Sequence, residues 1–257
     1  METAATVTLC AVLGLVVGSF LNVVIARVPR RESVVRPRSH CPRCSTQLAD
    51  RDNIPVVSWL LLRGRCRTCS EPISVRYPLV ELSTGALFAA AAIRFGPSWV
   101  LPGFLVFFAV LLAVAVIDLE HFIVPNRIVF PTLAVSVPLL VAVAVVTGAW
   151  DDLAGAALGA IAAGGGLLVI NLISPRGMGM GDVKLALVLG LFLGWLDLAH
   201  VALGLFLGFA LGAVVGLALI ALRLRSRRDH VPFAPFLAAG SVLAVLVGNP
   251  ILNWYGG

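Results

Sequence analysis

Two acids and four cysteines are the residues of this chain whose types and spacing can do chemistry. One acid sits in Gly177-Met178-Gly179-Met180-Gly181-Asp182-Val183-Lys184, a polar stretch between the apolar runs 153–173 and 185–195. Three glycines in five residues remove the side chains from one patch of backbone, so another segment, an extended substrate included, can come close to Asp182. Gly179, Gly181 and Lys184, the only lysine in the protein, are therefore expected to form a substrate-facing loop. An acid at the mouth of a membrane span marks a functional site by default. The competing reading is a polar N-cap, with Asp182 accepting from backbone N–H groups as a helix restarts. The second acid, Asp118, ends the apolar run 103–117 and opens Asp118-Leu119-Glu120-His121-Phe122-Ile123-Val124-Pro125-Asn126. Two carboxylates held close share one proton. One then activates water as a base while the other protonates the leaving group or polarises the carbonyl. Such a pair cleaves a peptide bond without a metal or a covalent nucleophile.

The cysteines form two CxxC pairs, Cys41/Cys44 and Cys66/Cys69, with 21 residues between them. Four thiolates at that spacing surround Zn²⁺ tetrahedrally, and a segment of this size lacks the core to fold without a staple. Disulfides are the rival staple on the oxidising side of a membrane only, and redox catalysis suits two matched pairs less well than a four-sulfur site. His40 reads as a bystander, and Cys10 as an apolar packing residue.

The elements that must position these groups are membrane helices. The chain of 257 residues is 60% hydrophobic and 12% charged, with a mean hydropathy of +1.01, which excludes the soluble globular class. Thr3–Val28 is long enough to span and is followed by no small-residue cleavage site, so it reads as a retained helix. Apolar runs near 4–26, 79–94, 99–118, 127–147, 153–173, 184–196, 198–222 and 233–252 predict about eight spans. The shortness of 184–196 predicts a broken or re-entrant start, tolerated where it lines a polar cavity. With the N-terminus outside, every basic residue except Arg94 falls on the inner side, while Glu2, Asp151, Asp152 and Asp197 fall outside. The positive-inside rule selects that orientation. The net charge of +6 is then a topology signal, and nucleic-acid binding is not expected. Both aspartates fall on the inner face at one depth, with 27–77 as the one sizeable soluble segment. The expected fold is all-α: a first helix at 1–26, a zinc-binding insertion at 27–77 and a membrane domain at 78–257.

Other readings of the polar residues compete. Asn22 and Glu81 suit helix–helix contacts, Glu81 with an arginine near the interface. Asp118 with His121 supplies only two plausible metal ligands, and no serine accompanies His121 in a nucleophile setting. His200 falls outside and His230 in the last basic loop. Transport remains a use for intramembrane acids, although the sequence carries no internal repeat of the transporter kind.

These residues carry a resemblance. The chain resembles the bacterial prepilin peptidases, the type IV leader peptidase family of GxGD aspartic proteases. The likeness runs through Gly18-Ser19-Phe20-Leu21-Asn22-Val23, both CxxC pairs, Asp52-Asn53-Ile54-Pro55 with Ser58-Trp59, Arg76-Tyr77-Pro78 with Glu81, Asp118 to Pro125 and Gly177 to Leu185. It implies that Asp118 and Asp182 are the catalytic pair. It also implies cleavage of the basic leader of prepilins or pseudopilins at the cytoplasmic membrane face, after a glycine and before the hydrophobic helix. Many members then N-methylate the new terminus with S-adenosylmethionine, an activity associated with the cysteine-bearing loop. The alternatives are a peptidase without methyl transfer, and a transporter or membrane scaffold. Two departures stand out: Ala234 replaces an expected glycine in Pro232-Phe233-Ala234-Pro235-Phe236, and Glu120-His121 replaces more neutral residues.

Overall fold

In the computed structural model, residues 2–41, 43–175, 178–224 and 231–256 are described. Arg176, Gly177, Arg225, Arg227, Arg228 and His230, which entered the sequence reading, lie outside them. Among the described residues the protein is all-α, with two isolated antiparallel bridges, His40 with Gln47 and Arg65 with Pro72. The chain divides into two compact units, Met1–Leu101 and Pro102–Gly257.

The first unit pairs α1 (Glu2–Arg27) with α3 (Arg76–Phe95), and the cysteine segment with its short α2 (Val57–Leu61) joins them. Lipid chains are as apolar as leucine, so helices in a bilayer associate through close packing. Gly14 and Gly18 supply it. A Cβ on Gly14 would lie 2.7 Å from the Thr84 carbonyl oxygen, and one on Gly18 would lie 2.7 Å from the Glu81 Cα. Asn22, one turn further along, donates through Nδ2 to the carbonyl oxygens of Gly18 and Tyr77 at 3.3 and 3.1 Å. That is the helix–helix role expected of it.

The second unit holds α4 (Leu101–His121), α5 (Asn126–Thr147), α6 (Trp150–Ile173), α7 (Met180–Leu196), α8 (Leu198–Ala221) and α9 (Ala234–Gly256). Helix α7 is apolar all round, the pattern of a helix enclosed by others. Leu185, Ala186, Val188, Leu189, Phe192 and Leu193 have no exposed surface. Phe192 stacks on Phe107 at 4.6 Å between ring centroids and meets Phe104 edge-on at 5.5 Å. Small residues again set the helix spacing. Gly155 and Gly159 of α6 face Gly190 and Gly194 of α7, and a Cβ on Gly155 would lie 2.6 Å from the Gly194 carbonyl oxygen. Gly240 of α9 meets α8 in the same way, its Cβ position 2.6 Å from the Gly204 carbonyl oxygen.

Among the described residues, seven helices are long and apolar enough to cross a membrane: α1, α3, α4, α5, α6, α8 and α9. The eighth apolar helix, α7, has 17 residues. At 1.5 Å per residue it is about 26 Å long, short of a hydrocarbon core about 30 Å thick. The short span foreseen at 79–94 gains its missing turn from Arg76, Tyr77 and Pro78.

Candidate active site and cysteine centre

Asp118 lies in the last turn of α4, and Asp182 is the third residue of α7. Both side chains are buried, 5% and 8% exposed. In the second unit the turn that follows α4 packs on the first turn of α7, Val124 against Gly181, so the two acids stand on either side of one junction. Asp182 is not the N-cap of α7. Gly179 occupies that place, with extended backbone (φ −75°, ψ 144°) and no side-chain cap. The helix therefore begins before the acid and carries it inside its first turn, where the positive end of the helix dipole favours a negative charge.

Three further elements surround the pair. The carboxylate of Asp118 accepts from the backbone N–H of Ala234 at 3.1 Å, the first residue of α9, so the block that departs from the expected glycine touches the acid through its main chain. After α4, the turn 122–125 carries Val124 over Gly181, where a Cβ would lie 2.8 Å from the Val124 Cβ. The space above Gly181 is thus filled by this turn, and the glycine permits the approach. Lys184 donates to Asn126 Oδ1 at 3.1 Å and sits 5.8 Å from the centre of the Phe130 ring. Behind the loop, Asn171 at the end of α6 donates to the Met178 carbonyl oxygen at 2.7 Å. Asn126, Phe130 and Asn171 went unnoticed in the sequence. Their signal is weak, because each is an ordinary residue until the loop folds over it.

His121 is at the exposed end of α4, 4.0 Å from Glu120. His200 is buried at the far end of the unit, 2.9 Å from Asn249 Oδ1.

In the first unit, Cys41, Cys44, Cys66 and Cys69 form a cluster able to hold a metal ion, all four sulfur atoms lying within 4.8 Å of one another. Each pair sits in the same knuckle. Cys41 N–H donates to Thr46 O and Ser45 N–H to Cys41 O; Cys66 N–H donates to Glu71 O and Ser70 N–H to Cys66 O. Ser45 and Ser70 both have positive φ, 54° and 57°. Hydrogen bonds from the Thr46 side chain and backbone lower the Cys44 thiol to about 6. Despite a backbone hydrogen bond at Glu71, Cys69 is pushed up to about 12 by burial and by the three neighbouring thiols. Four sulfurs this close do not all ionise without a cation among them. A tetrahedral site with metal–sulfur bonds of about 2.3 Å has sulfur–sulfur edges of about 3.8 Å, and Cys41 and Cys69 are 3.7 Å apart. The donors fit such an ion. His40 instead turns to the Arg38 carbonyl oxygen at 3.2 Å.

A recess of about 190 Å³ opens at the C-terminal end of α1, lined among others by Val23, Arg27, Val35, Arg38 and Asn53. Asp52 and Arg67 pair across this segment at 2.6 Å. That hydrogen bond holds the Asp52 carboxyl below its usual range.

Two family models match the chain: the Bacterial Peptidase A24 N-terminal domain over residues 12–95 and the Type IV leader peptidase family over residues 105–220. A prepilin leader peptidase/N-methyltransferase of Bacillus subtilis is 39% identical over 244 residues, covering 95% of each chain. One from Myxococcus xanthus is 46% identical over 210 residues, 81% of this chain and 62% of that protein. One from Aeromonas hydrophila is 37% identical over 282 residues, 96% and 93% of the two chains. No solved structure matches the chain. The chain belongs to the type IV leader peptidase family.

Proposed function

We propose that this protein cleaves the basic leader from prepilins or pseudopilins with Asp118 and Asp182, and then N-methylates the new terminus. The observation that carries the reading is a buried carboxylate on each side of the junction where the turn after α4 packs on the start of α7, in the unit matched by the leader peptidase model. The relatives named above are prepilin leader peptidases/N-methyltransferases.

One carboxylate removes a proton from water as its oxygen attacks the scissile carbonyl. The other carboxyl gives its proton to the amide nitrogen as the C–N bond breaks. The Ala234 N–H fixes the Asp118 carboxylate, and the first turn of α7 fixes Asp182. Burial excludes bulk water, which strengthens each electrostatic contact in the site. Of Gly179, Gly181 and Lys184, expected as a substrate-facing loop, Gly179 borders the start of α7 where substrate lies, whereas Gly181 seats Val124 and Lys184 holds Asn126.

The protein is read as a multi-pass inner-membrane protein with its N-terminus outside and residues 27–77 cytoplasmic. A prepilin, positively charged before its hydrophobic helix, then delivers its scissile bond to the cytoplasmic interface. Within 78–257, the peptidase chemistry belongs to the second unit, Pro102–Gly257, which holds both aspartates; the first unit, with the cysteine segment, carries methyl transfer. The ion in the cysteine cluster is Zn²⁺, held by Cys41, Cys44, Cys66 and Cys69 as a structural centre. S-adenosylmethionine, when bound, supplies the methyl group. In the recess, Arg27 and Arg38 offer guanidinium groups to its carboxylate, and Val23 and Val35 offer apolar wall.

The test is intact mass of a purified prepilin treated with the detergent-solubilised protein and S-adenosylmethionine. Loss of the leader with the gain of one methyl group supports both activities. Loss of the leader alone leaves a peptidase without methyl transfer. No cleavage of several prepilins by folded, metal-loaded protein would return the chain to the transporter or scaffold reading.

A further inference from the structure

We infer that Glu81 is a positioning residue for methyl transfer: its carboxylate holds a strained turn at Val56 and so sets the cysteine-bearing segment on the α1–α3 pair. This rests on the reading that the first unit carries methyl transfer.

Val56 has φ 60° and ψ −49°. Positive φ is an outlier for a β-branched residue, whose Cβ meets its own backbone there. The next residue, Val57, donates its N–H to the Pro55 carbonyl oxygen at 2.5 Å. That closes a three-residue turn of the rare form with positive φ at its centre. Such a backbone persists only where its surroundings over-determine it. At Val56 the determinant is Glu81 of α3, whose Oε2 accepts the Val56 N–H at 2.7 Å. The Ser19 hydroxyl of α1 donates to the same carboxylate, and the Glu81 Cα faces Gly18 in the closest part of the helix pair. The acid is 7% exposed, so a single buried group ties α1, α3 and the turn together.

From the turn, hydrogen bonds lead on to the cysteines. Ile54 N–H donates to Ser58 Oγ at 3.1 Å, and Ser58 Oγ donates to the Arg51 carbonyl oxygen at 2.8 Å. Trp59 Nε1 donates to the Ile73 carbonyl oxygen at 3.1 Å. Ile73 N–H donates to the Gly64 carbonyl oxygen at 2.7 Å, two residues before Cys66. Asn53, three residues before Val56, lines the recess at the end of α1. Releasing Val56 therefore shifts the recess wall and the second knuckle together, while Asp118 and Asp182 belong to the other unit.

The experiment uses the full-length protein, one prepilin and S-adenosylmethionine, scoring leader loss and methylation separately by mass. Glu81→Leu is expected to lower methyl transfer by about tenfold or more, a change beyond ordinary surface substitutions, with leader cleavage retained. Glu81→Gln is expected to lose less, since its amide oxygen still accepts from Val56. Glycine takes positive φ without strain, so Val56→Gly added to Glu81→Leu is expected to restore much of the methylation, a rescue that simple loss of folding would not show. Unchanged methylation in Glu81→Leu, an equal fall in cleavage and methylation, or no rescue by Val56→Gly would each overturn the inference. Cys66→Ser is the separate control for the underlying reading. If it leaves methylation intact, the first unit does not carry that activity, and the inference falls with the reading, whatever Glu81 does.

Discussion

At the residue scale, the glycines of the polar stretch do different work. Gly181 lies under Val124, and a Cβ there would stand 2.8 Å from the Val124 Cβ. Gly181→Ala must therefore push the 122–125 turn away from α7, and with it the alignment of Asp182 toward Asp118. We expect cleavage to fall by roughly 10- to 100-fold, since small misplacement of a catalytic group costs on the order of 10²-fold. Adding Val124→Ala, which reopens the space, should recover part of it; cleavage rates of the single and double variants check this. The sequence exposed both acids because a carboxylate bordering an apolar run is conspicuous. It concealed the partner of Gly181, since a close approach depends on which segment folds back. Lys184 was conspicuous as the lone lysine, but Asn126, whose Oδ1 accepts its hydrogen bond at 3.1 Å, is an ordinary residue following a proline.

At the element scale, α7 is the helix that the second unit encloses. Its contact with α6 runs through Gly155, Gly159, Gly190 and Gly194, two small-xxx-small pairs laid face to face. Gly159→Leu is expected to separate the helices and destabilise the unit by roughly 1–3 kcal/mol or more, the usual cost of overpacking a filled interior. Thermal unfolding in detergent should show a lower midpoint, whereas Gly165→Leu, a position with open space around it, should change little. An unaltered midpoint for Gly159→Leu would remove this packing from the account. The spans were legible from hydropathy to within a few residues, because burial in lipid demands long apolar runs. Which helices pair was written in glycine spacing, a weaker signal inside segments already rich in small residues. The N-cap reading of Asp182 was off in register: Gly179 holds the cap and the helix starts at Met180, three residues earlier than the acid suggests, while the Asp182 carboxylate reaches back to the Gly179 N–H.

At the scale of the whole molecule, two units divide the chemistry. The four sulfurs lie in the first unit and the two aspartates in the second. Removing the metal with a chelator is expected to abolish methyl transfer while leader cleavage continues, and bound metal should measure about one Zn²⁺ per chain. Because thiolates bind the ion and thiols do not, acidification should release it, with affinity falling as pH drops. The sign for Asp52 is the same. Its folded-state pKa is depressed by Arg67, so the pair's contribution is present above the ordinary aspartate range and is lost as pH falls through the depressed value. The spacing of the cysteines made their centre legible, since tetrahedral ligation needs little beyond two matched knuckles. The recess near Arg27 was not legible, because its walls come from segments with no motif.

The central claim is that Asp118 and Asp182 together cleave the leader. The direct measurement is the cleavage rate of a purified prepilin by Asp118→Asn and Asp182→Asn, each shown to be folded and metal-loaded. Each amide keeps the side-chain shape but cannot carry the proton, so each variant should lose at least about 10²-fold in rate, the scale of general acid–base catalysis. Methylation of a pre-cleaved pilin should persist in both. Cleavage at the wild-type rate by either variant would contradict the account.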